Sequence, residues 1–149
     1  EAVPARPGAV VTPAPSIVVV EKPRILLVED NRVSQRIVSH MLEKARYDAD
    51  AVENGMAAIR AATERRYSLV LMDLLLPGID GIETTYRLRR LPGYESTPVV
   101  ALTANASSEF RELCRQNGLQ GFLSKPVQSN ELIQTLLQFL PASSDQGKA

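Results

Sequence analysis

One cysteine, Cys114, in 149 residues leaves no partner for an internal disulfide and no thiolate cluster for a metal, a usage that suits a reducing compartment. Tryptophan is absent, and lysine plus arginine balance aspartate plus glutamate at 17 each. With no net field, nothing steers the chain toward nucleic acid or an anionic membrane. No apolar run approaches the length of a membrane span, and no charged start with a cleavage site marks a signal peptide. The turn VEDNRVSQ, after the first apolar run, contains no glycine, which excludes both the P-loop and the dinucleotide fingerprint. A Gly-x-Ser-x-Gly elbow is missing too, so a hydrolase reading has no nucleophile.

The length is that of one domain with a sizeable core. Its organising stretch is Tyr67–Gly81, YSLVLMDLLLPGIDG. Leu69, Val70, Leu71 and Met72 read as a strand buried on both faces that stops at a carboxylate, Asp73. Pro77-Gly78 and Asp80-Gly81 then read as turns. Taken alone, Asp73 is better explained by capping the strand end or the following helix.

Around it the pattern repeats. Residues 1–22, rich in Pro, Ala and Val, read as an extended linker whose Ile17–Val20 run lies on the domain surface or on a partner. Arg24–Val28 is a short buried strand ending in Glu29 and Asp30, and Asn31 caps a helix over Arg32–Ala45. That helix has two apolar rows, Val33/Ile37/Met41 and Val38/Leu42, wider than one sheet face strictly needs; the surplus goes to core packing or to a partner. Asp48–Val52 is a weak strand, and Asn54-Gly55 leads into the alanine-rich helix Met56–Arg66. Ile82–Leu91 is a helix closed by Pro92-Gly93, and Pro98–Leu102 is a strand followed by Thr103. Ser107 or Ser108 caps a helix to about Asn117, Gly121–Ser124 is a strand leading into Lys125-Pro126, and Ser129 caps the last helix. Residues 142–149 read as a flexible polar tail, so the folded domain is 23–141.

Strand then helix, five times over with short connections, predicts an α/β fold with a parallel sheet covered on both sides. All carboxyl ends of such a sheet share one rim, where open α/β sheets bind their ligands. Glu29/Asp30, Asp73, Thr103 and Lys125 therefore converge. Three carboxylates together repel unless a hard divalent cation sits among them, and an oxygen-only set points to Mg²⁺ or Mn²⁺ rather than zinc. A lysine and a hydroxyl supply a cation and a donor for phosphate oxygens, and Asp73 becomes a nucleophile able to form an acyl phosphate.

VEDN, LVLMDLLLPGIDG, ALTAN and GFLSKP, in this order, resemble the receiver (response-regulator) domains of two-component signalling over about Arg24–Leu140. The resemblance implies a doubly wound five-stranded sheet in the order 2-1-3-4-5, the flavodoxin-like arrangement. It implies that Asp73 is the phosphoacceptor, that Asp30, Asp73 and the Leu75 backbone carbonyl bind Mg²⁺, and that Glu29 acts mainly through metal-bound water. Thr103 and Lys125 would contact the phosphoryl group, Thr103 and Phe122 would be the switch residues, and Lys125-Pro126 would be a cis peptide. VEDNRVSQ with ALTANA is most similar to receivers of hybrid sensor histidine kinases, with Ser34 in place of a common Asn and Arg46 in place of a common Gly.

The implied partners are a histidine kinase or histidine-phosphotransfer domain and a downstream protein target, with no nucleic acid and no membrane contact by this segment. The implied location is the cytoplasm, with any longer parent chain open to anchoring in an inner membrane. Docking would use the first helix, with Val38 and Leu42 as candidates, and the loop at Pro126 and Val127. His40, the only histidine, reads as a surface residue, so the phosphoryl donor is expected outside this segment. Too few residues follow the last helix for a helix-turn-helix. The chain starts at Glu1 rather than Met, as a piece of something longer would. The competing reading is a receiver-fold module that holds a partner enzyme or kinase domain without phosphorylation.

Overall fold

The computed structural model describes residues 23–104 and 107–140; the linker, its Ile17–Val20 run and the polar tail lie outside them. Five strands alternate with five helices: β1 (Arg24–Val28), α1 (Arg32–Lys44), β2 (Asp48–Val52), α2 (Gly55–Glu64), β3 (Leu69–Asp73), α3 (Gly81–Arg89), β4 (Val99–Thr103), α4 (Ser108–Gln116), β5 (Gly121–Ser124) and α5 (Ser129–Phe139). All neighbouring strands run parallel in the order β2-β1-β3-β4-β5, the order the resemblance implied.

The strands show why their sequences lack polar alternation. Every residue of β3 and β4 is buried, because helices cover both sheet faces. On one face Ile25, Leu27, Leu69, Leu71, Val100 and Leu102 meet Val38 and Leu42 of α1 and Leu132 and Leu136 of α5. On the other, Leu26, Val28, Val70, Met72 and Ala101 meet α2, α3 and α4 through Ala58, Leu88 and Cys114. β2 reads weakly because it is an edge strand, half-exposed along most of its length.

Each helix follows a strand, so its start lies at the carboxyl rim of the sheet, and side chains cap four of the five starts. Asn31 accepts from the Ser34 N–H at 2.9 Å, Asn54 from Ala57 at 2.8 Å, Asp80 from Glu83 at 2.8 Å and Ser107 from Phe110 at 3.2 Å. The last helix differs from the expectation: Ser129 is already helical, and Gln128 sits at the cap without a side-chain bond. At the far end of α1, Arg46 adopts φ +70°, the left-handed region, while its N–H and that of Tyr47 satisfy the carbonyls of Glu43 and Leu42.

The other end of the molecule is tied by Arg89. Its guanidinium donates to the carbonyls of Tyr94, Thr97 and Gly118 and to the Gln120 side chain, joining the loops before β4 and β5.

Candidate phosphoacceptor and metal site

The rim is built by continuing the sheet ladder past the strand ends. Glu29 N–H donates to the Val52 carbonyl at 3.0 Å, Leu74 N–H to Leu102 at 3.3 Å, and Lys125 N–H to Thr103 at 2.9 Å. Backbone bonds therefore fix the register of all four rim positions before any side chain meets. Gln35 adds a tie that sequence reasoning missed as a site element, although the residue itself is noticeable in VEDNRVSQ. From α1 its amide donates to the carbonyls of Glu29, at 2.9 Å, and of Val52, at 3.3 Å.

On this frame the carboxylates of Glu29, Asp30 and Asp73 come together, one oxygen of each lying within 4.8 Å of the others. Glu29 and Asp73 are buried, while Asp30 is exposed at the mouth. Lys125 closes the cluster: its Nζ lies 2.9 Å from Asp73 Oδ2 and 3.0 Å from Glu29 Oε1. Asp73 Oδ1 accepts the Leu75 N–H at 3.1 Å, and Glu29 Oε2 accepts the Asn31 N–H at 3.0 Å. Glu29 Oε1 has the charge of Lys125 beside it but makes no well-aligned hydrogen bond among the described residues.

The electrostatics follow from that packing. Burial pushes the Glu29 carboxyl above the usual range; the Asn31 N–H and Lys125 oppose this, and the neighbouring Asp73 adds to it. Burial alone would lower Lys125, yet its hydrogen bond to Asp73 and the Glu29 carboxylate beside it outweigh that and hold it above the ordinary lysine value. One ammonium therefore faces a buried acid pair with a third acid at the entrance, leaving negative charge in excess. Such an oxygen-rich, over-acidic pocket with an under-bonded buried oxygen fits a hard divalent cation.

The remaining sequence-predicted positions separate. Thr103 ends β4 and is buried. Leu75 is 82% exposed on the loop beyond Asp73. Phe122, on β5, is half-buried against the core, with the Arg111 guanidinium 5.6 Å from its ring centre. Lys125-Pro126 is cis. Pro126 is exposed and Val127 half-buried, and both line a cavity of about 70 Å³ together with Glu29, Ser34 and Ile37. Val38 and Leu42 correct the sequence reading. They are 3% and 0% exposed and pack into the core, with Val38 also at the floor of that cavity; the outward apolar residues of α1 are Val33 and Ile37, at 67% and 50%.

The model of the response regulator receiver domain family matches residues 25–137. The chain belongs to that family. The receiver domain is similar to a segment of the sensor protein GacS of Pseudomonas syringae pv. syringae, 36% identical over 113 residues, covering 74% of this chain and 12% of the relative. It is also similar to the polar-differentiation response regulator DivK of Brucella anthropi, 33% identical over 111 residues, covering 74% of this chain and 90% of DivK. The chain spans 15% or less of the length of the histidine kinases it matches. In three dimensions it resembles the receiver domain of sensor histidine kinase PA1611 from Pseudomonas aeruginosa PAO1. The TM-score is 0.75 at 38% identity, over 82% of this chain and all of the other, and that structure has a magnesium ion coordinated in its active site cleft. The receiver domain is thus a two-component signalling module with the doubly wound fold and an acidic pocket of the kind that holds Mg²⁺. Among its described residues no helix is long and apolar enough to cross a membrane.

Proposed function

We propose that this receiver domain accepts a phosphoryl group on Asp73 from a phosphohistidine, with Mg²⁺ held by Asp30, Asp73 and the Leu75 carbonyl and by Glu29 through water. The observation carrying this reading is the meeting of three carboxylates within 4.8 Å with Lys125 in contact with two of them. In the transfer, an Asp73 carboxylate oxygen forms the new P–O bond as the donor's P–N bond breaks, and the electron pair leaves with the imidazole nitrogen. The transition state is loose, so the protein's part is positioning and neutralisation of charge. When bound, Mg²⁺ would supply positive charge against the phosphoryl oxygens. Lys125 moves its hydrogen bond from Asp73 to an incoming phosphoryl oxygen, and Thr103 donates to another. Drawing Thr103 inward changes the room beside Phe122, biasing a two-state element on α4, β5 and α5.

The donor is a histidine kinase or histidine-phosphotransfer domain, and the parent chain a hybrid sensor histidine kinase; the similarity to segments of such kinases supports this. Docking uses the exposed Val33 and Ile37 of α1 with Pro126 and Val127; Ile37, Pro126 and Val127 line the cavity beside Glu29. A cytoplasmic location and a downstream protein target belong to the same reading.

Phosphoramidate carries the same P–N bond as the donor and tests the chemistry directly. Intact mass should show one added phosphoryl group on wild type with Mg²⁺, none in EDTA and none on Asp73→Asn. Phosphoryl mass on the Asn variant would assign the acceptor elsewhere. Partner binding equally tight to wild type and Asp73→Ala would favour a phosphorylation-independent module instead.

A further inference from the structure

The loop 75–80 leaves the phosphoacceptor strand and returns at the start of α3, where Gly81 N–H donates to the Leu74 carbonyl at 3.2 Å and closes its base. In sequence Asp80-Gly81 reads as a turn pair, which would ask glycine for a left-handed backbone. Gly81 is instead the first residue of α3 and is not among the glycines with positive φ. Its lack of a side chain answers a different need. A Cβ there would lie 2.6 Å from the backbone oxygen of Asp73 and 2.8 Å from the Leu74 Cα, inside the 3.4 Å at which ordinary contact begins. Both are main-chain atoms, so no rotamer change relieves the overlap.

We infer that Gly81 is a positioning residue for the acidic pocket: α3 sits flush on the Asp73 and Leu74 backbone only because Gly81 has no Cβ. That seating holds the strand exit in place, and with it the Asp73 carboxylate and the Leu75 N–H that binds Asp73 Oδ1 at 3.1 Å. Any side chain at 81 forces the helix start and the strand exit apart by several tenths of an ångström. Sites of this kind tolerate displacements of about 0.5 Å before ligand geometry fails. The inference rests on the Mg²⁺-dependent phosphoacceptor reading and names a residue that acts through Asp73 rather than on the phosphoryl group.

Mg²⁺ affinity of the full chain, measured by isothermal titration, tests it. Gly81→Ala should weaken Mg²⁺ binding about 10- to 100-fold, the usual effect of disturbing a group that orients a ligand, while circular dichroism shows a folded protein. Gly121→Ala is the matched control: its Cβ would be 2.9 Å from the Phe139 ring, a side chain able to yield, and it should bind Mg²⁺ as wild type does. A folded Gly81→Ala with wild-type affinity overturns the inference. If that variant does not fold, Asp80→Ala takes its place, because Asp80 Oδ1 caps α3 by accepting the Glu83 N–H at 2.8 Å and its loss loosens the helix start at the same junction without a clash. Unchanged Mg²⁺ affinity there overturns the inference as well. Wild type that binds no Mg²⁺ would instead sink the phosphoacceptor reading on which the inference stands.

Discussion

Replacing Lys125 by Met keeps most of the side chain's apolar stem and removes the charge that Glu29 and Asp73 share. The side chains of Glu29 and Asp73 are 1% and 5% exposed and that of Lys125 27%, so water screens the pair from the lysine and from the mouth at Asp30. Breaking a buried ion pair by deleting one partner costs about 3–5 kcal/mol, and the lower end applies where water screens part of the charge. In EDTA the variant should therefore lose about 3 kcal/mol. At about 4 °C per kcal/mol for a domain of this size, the melting midpoint falls by roughly 12 °C. Added Mg²⁺ supplies the missing positive charge, so it should raise the midpoint of the variant by more than that of wild type.

Acidification should narrow the gap as well. Burial holds the Glu29 carboxyl above its ordinary value of 4.5, and Lys125 opposes that shift. A carboxyl raised in the folded state costs stability above its folded pKa, and the cost is relieved as pH falls toward the unfolded value. Without the lysine the folded pKa rises further, so the variant recovers more on acidification than wild type does. Thermal melts followed by circular dichroism, with and without Mg²⁺ at several pH values, read all of this. A midpoint in EDTA within about 3 °C of wild type, or identical Mg²⁺ shifts, would refute the shared-charge account of the pocket.

Leu75, 82% exposed two residues beyond Asp73, offers hydrolytic water no hydrogen bond; Leu75→Asn should shorten the lifetime of the phosphorylated protein several-fold, and decay no faster than wild type would count against this. Ile37→Glu places charge on the outward row of α1 and should slow transfer from a phosphorylated kinase while leaving phosphorylation by phosphoramidate unchanged; equal slowing of both would move the docking surface elsewhere. Arg46 holds φ +70°, which costs a residue with a side chain roughly 1–2 kcal/mol. Because glycine gives back part of that in unfolded-chain entropy, Arg46→Gly should stabilise the domain by about 0.5–1 kcal/mol in urea unfolding.

Much of this molecule is readable before it is folded, for a reason specific to buried parallel sheets. Unbroken runs such as LVLM and VVAL, too short for helices and bounded by turn signals, fit strands covered on both faces, and their polar ends then share one rim by topology alone. Glu29, Asp73, Thr103 and Lys125 follow from that logic without any side-chain geometry. The two rows of α1 did not separate because 3.6-residue spacing places both on a broad stripe. Contact with α5 and the sheet, a tertiary fact, selects Val38 and Leu42 for the core. Gly81 escaped for a similar reason: sequence shows a glycine beside a turn signal, whereas its need for space arises only when the strand exit and the helix start are pressed together. Gln35 reaches back across six residues to the Glu29 carbonyl, a tie that α1 creates and spacing alone does not announce.

Because all five helices start at the carboxyl rim, their macrodipoles point the same way, each ending in roughly half a positive charge near its first turn. An approaching phosphoryl group is an anion and would otherwise meet a wall of carboxylates. The parallel architecture surrounds that wall with electropositive backbone, so the same winding that gathers the acids also softens their repulsion of the group they are there to receive.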